Sequence, residues 1–176
     1  MAATTKQAAS MVTSEAAETV ESPAPAAKRL VIVLTKATID EAYPAFILAT
    51  TGAATGMEVD VYFTFWGMKL LDKRSHNKTK ISPLGNPAMG MPNILAVLPG
   101  ATALVTAMMK RKIKKYWPTI PDMMKQATEL GVRMHACSPT MGLMGLTEKD
   151  LIDGVDICGA SSFLSWAADN AVTIFI

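Results

Sequence analysis

The chain has 176 residues, half of them apolar and 18% charged, enough material for one compact domain with a tail. A formal net charge of +2 is too mild for a nucleic-acid binder, which needs a clustered basic face. Two cysteines, Cys137 and Cys158, cannot build the disulfide framework of a small secreted protein, so they read as thiols in a reducing, cytoplasmic compartment.

Residues 1–28 are rich in Ala, Thr, Ser and Glu and close on a Pro-Ala-Pro spacer. Such a stretch buries too little surface to offset chain entropy and is expected to be a disordered low-complexity tail. It has no continuous apolar segment of the kind a signal peptide requires, and no Arg before Arg29 to suggest a mitochondrial presequence. The domain is expected over 29–176.

Arg29 to Thr35 (RLVIVLT) is a short apolar run rich in β-branched residues, as in a strand buried on both faces of a parallel sheet. Thr38 or Asp40 can cap the helix that follows, which runs toward Gly56 with Pro44 in its first turns. Met57 to Phe65 returns as the second strand, completing a βαβ unit. The apolar run from Ala42 to Met57 is cut off by Glu58 and Asp60, short of the roughly 20 residues that cross a bilayer, so membrane association is not expected.

From Trp66 to Gly100 the pattern breaks. A short helical piece, Trp66 to Leu71, leads into a polar stretch and then a Pro, Gly and Met-rich run to Pro99, a loop long enough to be a functional lid or interface. Ala101 to Tyr116 reads as a helix ending in the basic cluster Lys110 to Lys115, with Ile113 and Tyr116 turned inward. By default that cluster is a solvated helix end, where cations are favoured. It also has the charge to guide an acidic partner or anionic donor.

A further helix is expected over Ile120 to Leu130, a third strand over Val132 to Cys137, and a loop segment over Ser138 to Gly145 whose backbone N–H groups can serve an anion. Thr147 caps a short helix, Val155 to Cys158 is the fourth strand, Ser161 or Ser162 caps a helix to Asp169, and Ala171 to Ile176 is the last strand. Five strands alternating with helices predict a single α/β domain, a doubly wound parallel sheet flanked by helical layers.

In such sheets reactive groups gather at the carboxyl ends of the strands. Cys137 falls at one, with Pro139 just beyond to stop the strand. A thiolate there can attack a donor's outer sulfur, hold it and yield it to another thiolate, with no metal, cofactor or separate base. The plain alternative is an inert buried thiol. His135 shares the face of Cys137 by strand periodicity and reads better as a core histidine satisfied by the backbone than as the partner of a thiolate. A zinc site would need His76 and Cys158 to converge from elsewhere. Cys158 reads as a small filler, or as a resolving thiol if its strand neighbours that of Cys137. Thirteen methionines, with Met89, Met91, Met141 and Met144 the best candidates, raise Cu(I) binding, but adaptable packing explains them better. No glycine-rich nucleotide loop is present.

Several pieces occur in a suggestive order. They are Thr35 to Asp40, Tyr62 to Gly67 (YFTFWG), Met89 to Asn93, Leu98 to Gly100, Met108 to Lys112, and the cysteine-bearing Ala136 to Leu146 with its MGLMGL run. Together they resemble the DsrE/DsrF-like (DsrEFH superfamily) sulfur carriers and sulfurtransferases over Arg29 to Ile176. The resemblance implies a parallel α/β fold, a homo-oligomer (trimer, tetramer or hexamer), and a sulfur-accepting cysteine at Cys137. Relatives occur beside rhodaneses and TusA-like carriers. The implied function is a sulfur relay, loaded with persulfide or thiosulfonate by a rhodanese-like donor and unloaded by a TusA-like acceptor. That makes it a carrier rather than a turnover enzyme with its own substrate pocket. Cys158 matches no motif cysteine, and the polar residues some relatives carry between Met141 and Met144 are replaced by Gly142 and Leu143. The alternatives from other classes are a non-catalytic oligomeric interaction or regulatory subunit, and a soft-metal-binding protein.

Overall fold

The computed structural model describes residues 29–82, 100–168 and 170–176. The tail expected over 1–28, and Met89 and Met91 within the Met-rich run, lie outside the described residues.

Five parallel strands form one sheet: β1 (Arg29–Leu34), β2 (Glu58–Phe63), β3 (Arg133–Cys137), β4 (Val155–Cys158) and β5 (Ala171–Phe175), in spatial order β4-β3-β2-β1-β5. The helices are α1 (Ile39–Ala54), α2 (Ala101–Ile113), α3 (Ile120–Glu129), α4 (Ser138–Met144) and α5 (Ala160–Ala167). The chain moves outward from β1 to β4 and then returns to the far side of β1. The connection into β5 therefore crosses the opposite face of the sheet, and α5 covers that face. The expected doubly wound α/β architecture is present.

Strand alternation divides the side chains between two cores. Leu30, Ile32, Leu34, Val59, Val61, Phe63, Met134 and Ala136 point to the face where α1 and α3 pack, and join Phe46, Met123 and Met124 in the larger core. On α1, Ile39, Ala42, Tyr43, Ala45, Phe46, Ala49 and Gly52 form the buried stripe, while Asp40 and Glu41 complement the helix's positive end. Thr38 occupies the N-cap position, yet its hydroxyl makes no capping bond. The opposite sheet face carries a smaller cluster of Val33, Tyr62 and Cys137, with Cys158 and Phe163 packed against it.

Four local expectations are corrected. The stretch after Cys137 is a helix rather than a loop: Pro139 starts α4, since its missing N–H falls in the first turn, and Gly145 ends it at φ 62°. The helix Ala160–Ala167 is capped by Gly159, not by Ser161 or Ser162. After Thr147 only a 3₁₀ turn forms, Glu148–Asp150, closed by a reciprocal Thr147–Asp150 capping box. Ile113 packs against the core as expected, but Tyr116 lies beyond the end of α2 and is 82% exposed.

Candidate functional site

Cys137 is the last residue of β3 and the N-cap residue of α4. It lies at the carboxyl edge of the sheet, though on β3 rather than between β1 and β5, where the strand order reverses. The thiol is 7% exposed and faces the α5 side. Burial alone would push it up. It is outweighed by the polar groups beside the sulfur, first the Thr140 hydroxyl, then the Tyr62 phenol, the Thr140 backbone N–H and the Thr64 hydroxyl, which hold the thiol below its ordinary range, although no full side-chain capping bond forms at Cys137. A donor cage of this kind stabilises a thiolate without a neighbouring cation.

Each donor is fixed by its own element. Tyr62 stands on β2, pinned by Phe163 of α5 with ring centroids 5.0 Å apart, and burial pushes its phenol well up so that it keeps its proton. The Thr64 and Thr140 hydroxyls lie 3.1 Å apart, and the Phe65 backbone N–H donates to Thr140 at 3.4 Å. Phe65 holds the left-handed φ of 45°, a strained conformation for a bulky residue. It opens the 3₁₀ turn Phe65–Leu70, in which the Gly67 N–H reaches the Thr35 carbonyl at 2.8 Å. The YFTFWG segment thus brings two donors to the sulfur and then turns sharply away.

These three donors were not read from the sequence as parts of the site. Tyr62 and Thr64 stood inside a recognised motif, and Thr140 three residues after the cysteine, but only the pairing of β2 with β3 gathers them. They supply the support to the thiolate that Gly142 and Leu143 do not.

Cys158 is placed beside Cys137. β3 and β4 pair in parallel with these two residues in register, so both side chains share one face. Burial, the negative charge of Cys137, and Asp156 and Asp60 push the Cys158 thiol up to about 11. The pair is asymmetric: one sulfur inclined to thiolate, the other holding its proton.

His135 shares that face but turns to Asp60, not to the backbone as expected. The two lie 2.8 Å apart, and His135 packs on Trp166 of α5 with centroids 4.2 Å apart. A carboxylate only accepts, so Nε2 donates and Nδ1 has no partner. Asp60 is fully buried and also accepts from Arg133 at 2.8 and 2.9 Å. Burial would raise its carboxyl, but the bonds from His135 and Arg133 and the Arg133 charge hold it below the usual range. This ionic cluster braces the middle of β2 and β3 below the thiol.

Among the described residues no group of three or more His, Cys, Asp or Glu is arranged to hold a metal ion. Met141 and Met144 pack into the larger core. Among them, too, no helix is long and apolar enough to cross a membrane, and Ala42 to Met57 is spent on α1 and the approach to β2. The basic end of α2 contributes Lys110, Arg111 and Lys114 to the wall of a cavity of about 440 Å³ shared with Tyr43, Trp117 and Ile120.

The chain is thus a parallel α/β domain with a buried thiol held at a strand end among polar side chains. The sequence model of the DsrE/DsrF/DrsH-like family matches residues 26–175, and the chain belongs to that family. It is 40% identical over 158 residues to the sulfur carrier protein DsrE2 of Allochromatium vinosum, covering 85% of this chain and 98% of that protein. It is 33% identical over 159 residues to Bacillus subtilis YrkE, covering 85% and 97%. Among solved structures it is similar in fold to MTH1491 from Methanobacterium thermoautotrophicum, with a TM-score of 0.55 at 15% identity over 84% of this chain and 98% of that one. The ychN protein from E. coli is similar in the same way, at 0.53 and 14% over 85% and 99%.

Proposed function

We propose that this protein is a cytoplasmic sulfur carrier that holds sulfane sulfur on Cys137. The observation that carries the reading is the placing of Cys137, a buried thiol at the carboxyl end of β3 and the start of α4, beside the polar groups of Tyr62, Thr64 and Thr140, which favour its anionic form against the cost of burial. Its likeness to a relative named as a sulfur carrier gives that thiolate its cargo.

Loading is a displacement at sulfur. The Cys137 thiolate attacks the outer sulfur of a donor persulfide, a new S–S bond forms, the donor's S–S bond breaks, and the donor leaves as a thiolate. Unloading repeats the step with an acceptor thiolate. With tetrathionate as donor, the same attack leaves a thiosulfonate on Cys137 and releases thiosulfate. Both directions are thiol exchange and need no redox cofactor. A rhodanese-like donor and a TusA-like acceptor suit this chemistry because each presents one exposed sulfur.

The α5 face supports a homo-oligomer. No residue of α5 is fully buried, and Leu164 of α5 and Phe175 of β5 are exposed on this face. A second copy on this face would cover them.

Intact mass of the reduced protein, before and after incubation with polysulfide, tetrathionate or thiosulfate, tests the reading. Wild type should gain sulfur or thiosulfonate, and Cys137→Ser should gain neither. Equal loading of the variant, or no adduct on reduced wild type with any donor, overturns it.

A further inference from the structure

We infer that Cys158 is a resolving thiol for Cys137: it discharges sulfur that no acceptor has collected and closes a Cys137–Cys158 disulfide. The inference rests on Cys137 being the carrier, and concerns what happens to the cargo there.

The two cysteines are register partners on adjacent parallel strands. Neighbouring strands lie about 4.8 Å apart, inside the roughly 4.4–6.8 Å over which the Cα atoms of a disulfide are found. Their side chains share a face and pack against the same group of Val33, Tyr62 and Phe163. The spacing of paired strands thus falls within the Cα range of a disulfide. Cys158 is also the more exposed of the two, so a small product released there reaches solvent.

The step balances without an added oxidant. With persulfide on Cys137, the Cys158 sulfur attacks Cys137 Sγ and forms the new S–S bond. The bond from Cys137 Sγ to the outer sulfur breaks, and the Cys158 proton passes to the departing atom, which leaves as hydrosulfide. Sulfane sulfur is reduced to sulfide while two thiols are oxidised to a disulfide. The same attack on a thiosulfonate releases thiosulfate. An external dithiol then restores both cysteines by exchange.

Timing follows from the asymmetry of the pair. Cys158 holds its proton at neutral pH, so its attack is slow despite the proximity. A docked acceptor thiolate therefore takes the sulfur first, and resolution overtakes only a stalled carrier. The residue that sequence patterning reads as filler becomes a limit on how long the protein stays loaded.

The test loads wild type and Cys158→Ser with polysulfide, removes the excess donor, and follows intact mass and released sulfide over time without acceptor. Both proteins should first gain sulfur. Wild type should then lose it, release sulfide in equal amount, and settle two hydrogens lighter than the reduced protein. The bridge should appear as one disulfide-linked peptide pair. Cys158→Ser should keep its persulfide about tenfold longer or more, since the intramolecular route is gone, and Cys158→Ala should behave alike. If both proteins load but decay at the same rate and no bridged species forms, the inference fails while the carrier reading stands. If neither loads, both fall together.

Discussion

The hydroxyls of Thr64 and Thr140 lie 3.1 Å apart, joining the segment after β2 to the first turn of α4 beside the Cys137 sulfur. Both border that sulfur, but each hydroxyl has one proton, so when one donates to the other only the second can donate to Cys137. The pair is a latch between two elements that leaves one proton for the thiolate, so the reactivity of Cys137 depends on the tertiary pairing of β2 with β3.

Replacing Thr140 by Val removes the hydroxyl and keeps the shape. A hydrogen bond to a charged group contributes about 1.5–3 kcal/mol, so the midpoint pH for alkylation of Cys137 should rise by about one pH unit or more. Thr140→Ser should restore it. An unchanged midpoint in Thr140→Val, with the fold intact by circular dichroism, would show that the hydroxyl does not solvate the thiolate.

The two thiols should separate cleanly by pH. With Cys158 pushed up to about 11, its thiolate fraction at pH 7 is on the order of 10⁻⁴. Brief treatment with iodoacetamide near neutrality should therefore label Cys137, although Cys158 is the more exposed. Labelling of Cys158 should follow only as the pH approaches 11. Peptide mapping reads both sites, and preferential labelling of Cys158 at neutral pH would reverse the assignment of roles.

Asp60 governs an acid limb of stability. Its carboxyl is held below the usual range in the folded chain, so its contribution is complete above the unfolded value near 3.9 and is lost as pH falls through the folded value. Asp60→Asn should cost about 2 kcal/mol at neutral pH, read as a lower urea midpoint, since a buried charge-assisted bond to His135 and Arg133 is lost. Its stability should also fall less steeply than that of wild type as the pH drops below about 4. A variant whose stability runs parallel to wild type through that range would mean that Asp60 carries no such linkage.

What was legible in the chain follows from which interactions are local. Runs such as RLVIVL and VDIC carry their own strand signal, and β1 and β4 appear where the residues place them. Cys137 was legible as a strand-end thiol because Pro139 punctuates it. The same proline, with Gly142 and Gly145 close behind, disguised α4 as a loop; at the first turn it starts a helix instead. The cage around the sulfur was not legible, because Tyr62 and Cys137 are far apart in sequence and meet only through strand register. His135 misled for a similar reason, since its partner, Asp60, lies on the neighbouring strand.

Gly67 shows what the turn after β2 demands. A Cβ at this position would lie 2.2 Å from the Leu34 carbonyl oxygen and 3.0 Å from its carbon. Both are backbone atoms of β1, an interior strand, and cannot rotate aside. Gly67→Ala must therefore push the turn away from β1, breaking the bonds of Gly67 N–H to the carbonyls of Thr35 and Thr64 and moving the strained Phe65 that leads into it. The cost should be about 3 kcal/mol, the upper range for forced overpacking. Displacing the turn also pulls Thr64 from Thr140, so the variant should show a raised Cys137 alkylation midpoint together with a lower urea midpoint. A protein destabilised with its thiol midpoint unmoved would separate the turn from the cage, and would place the hold on the thiolate with Tyr62 and Thr140 alone.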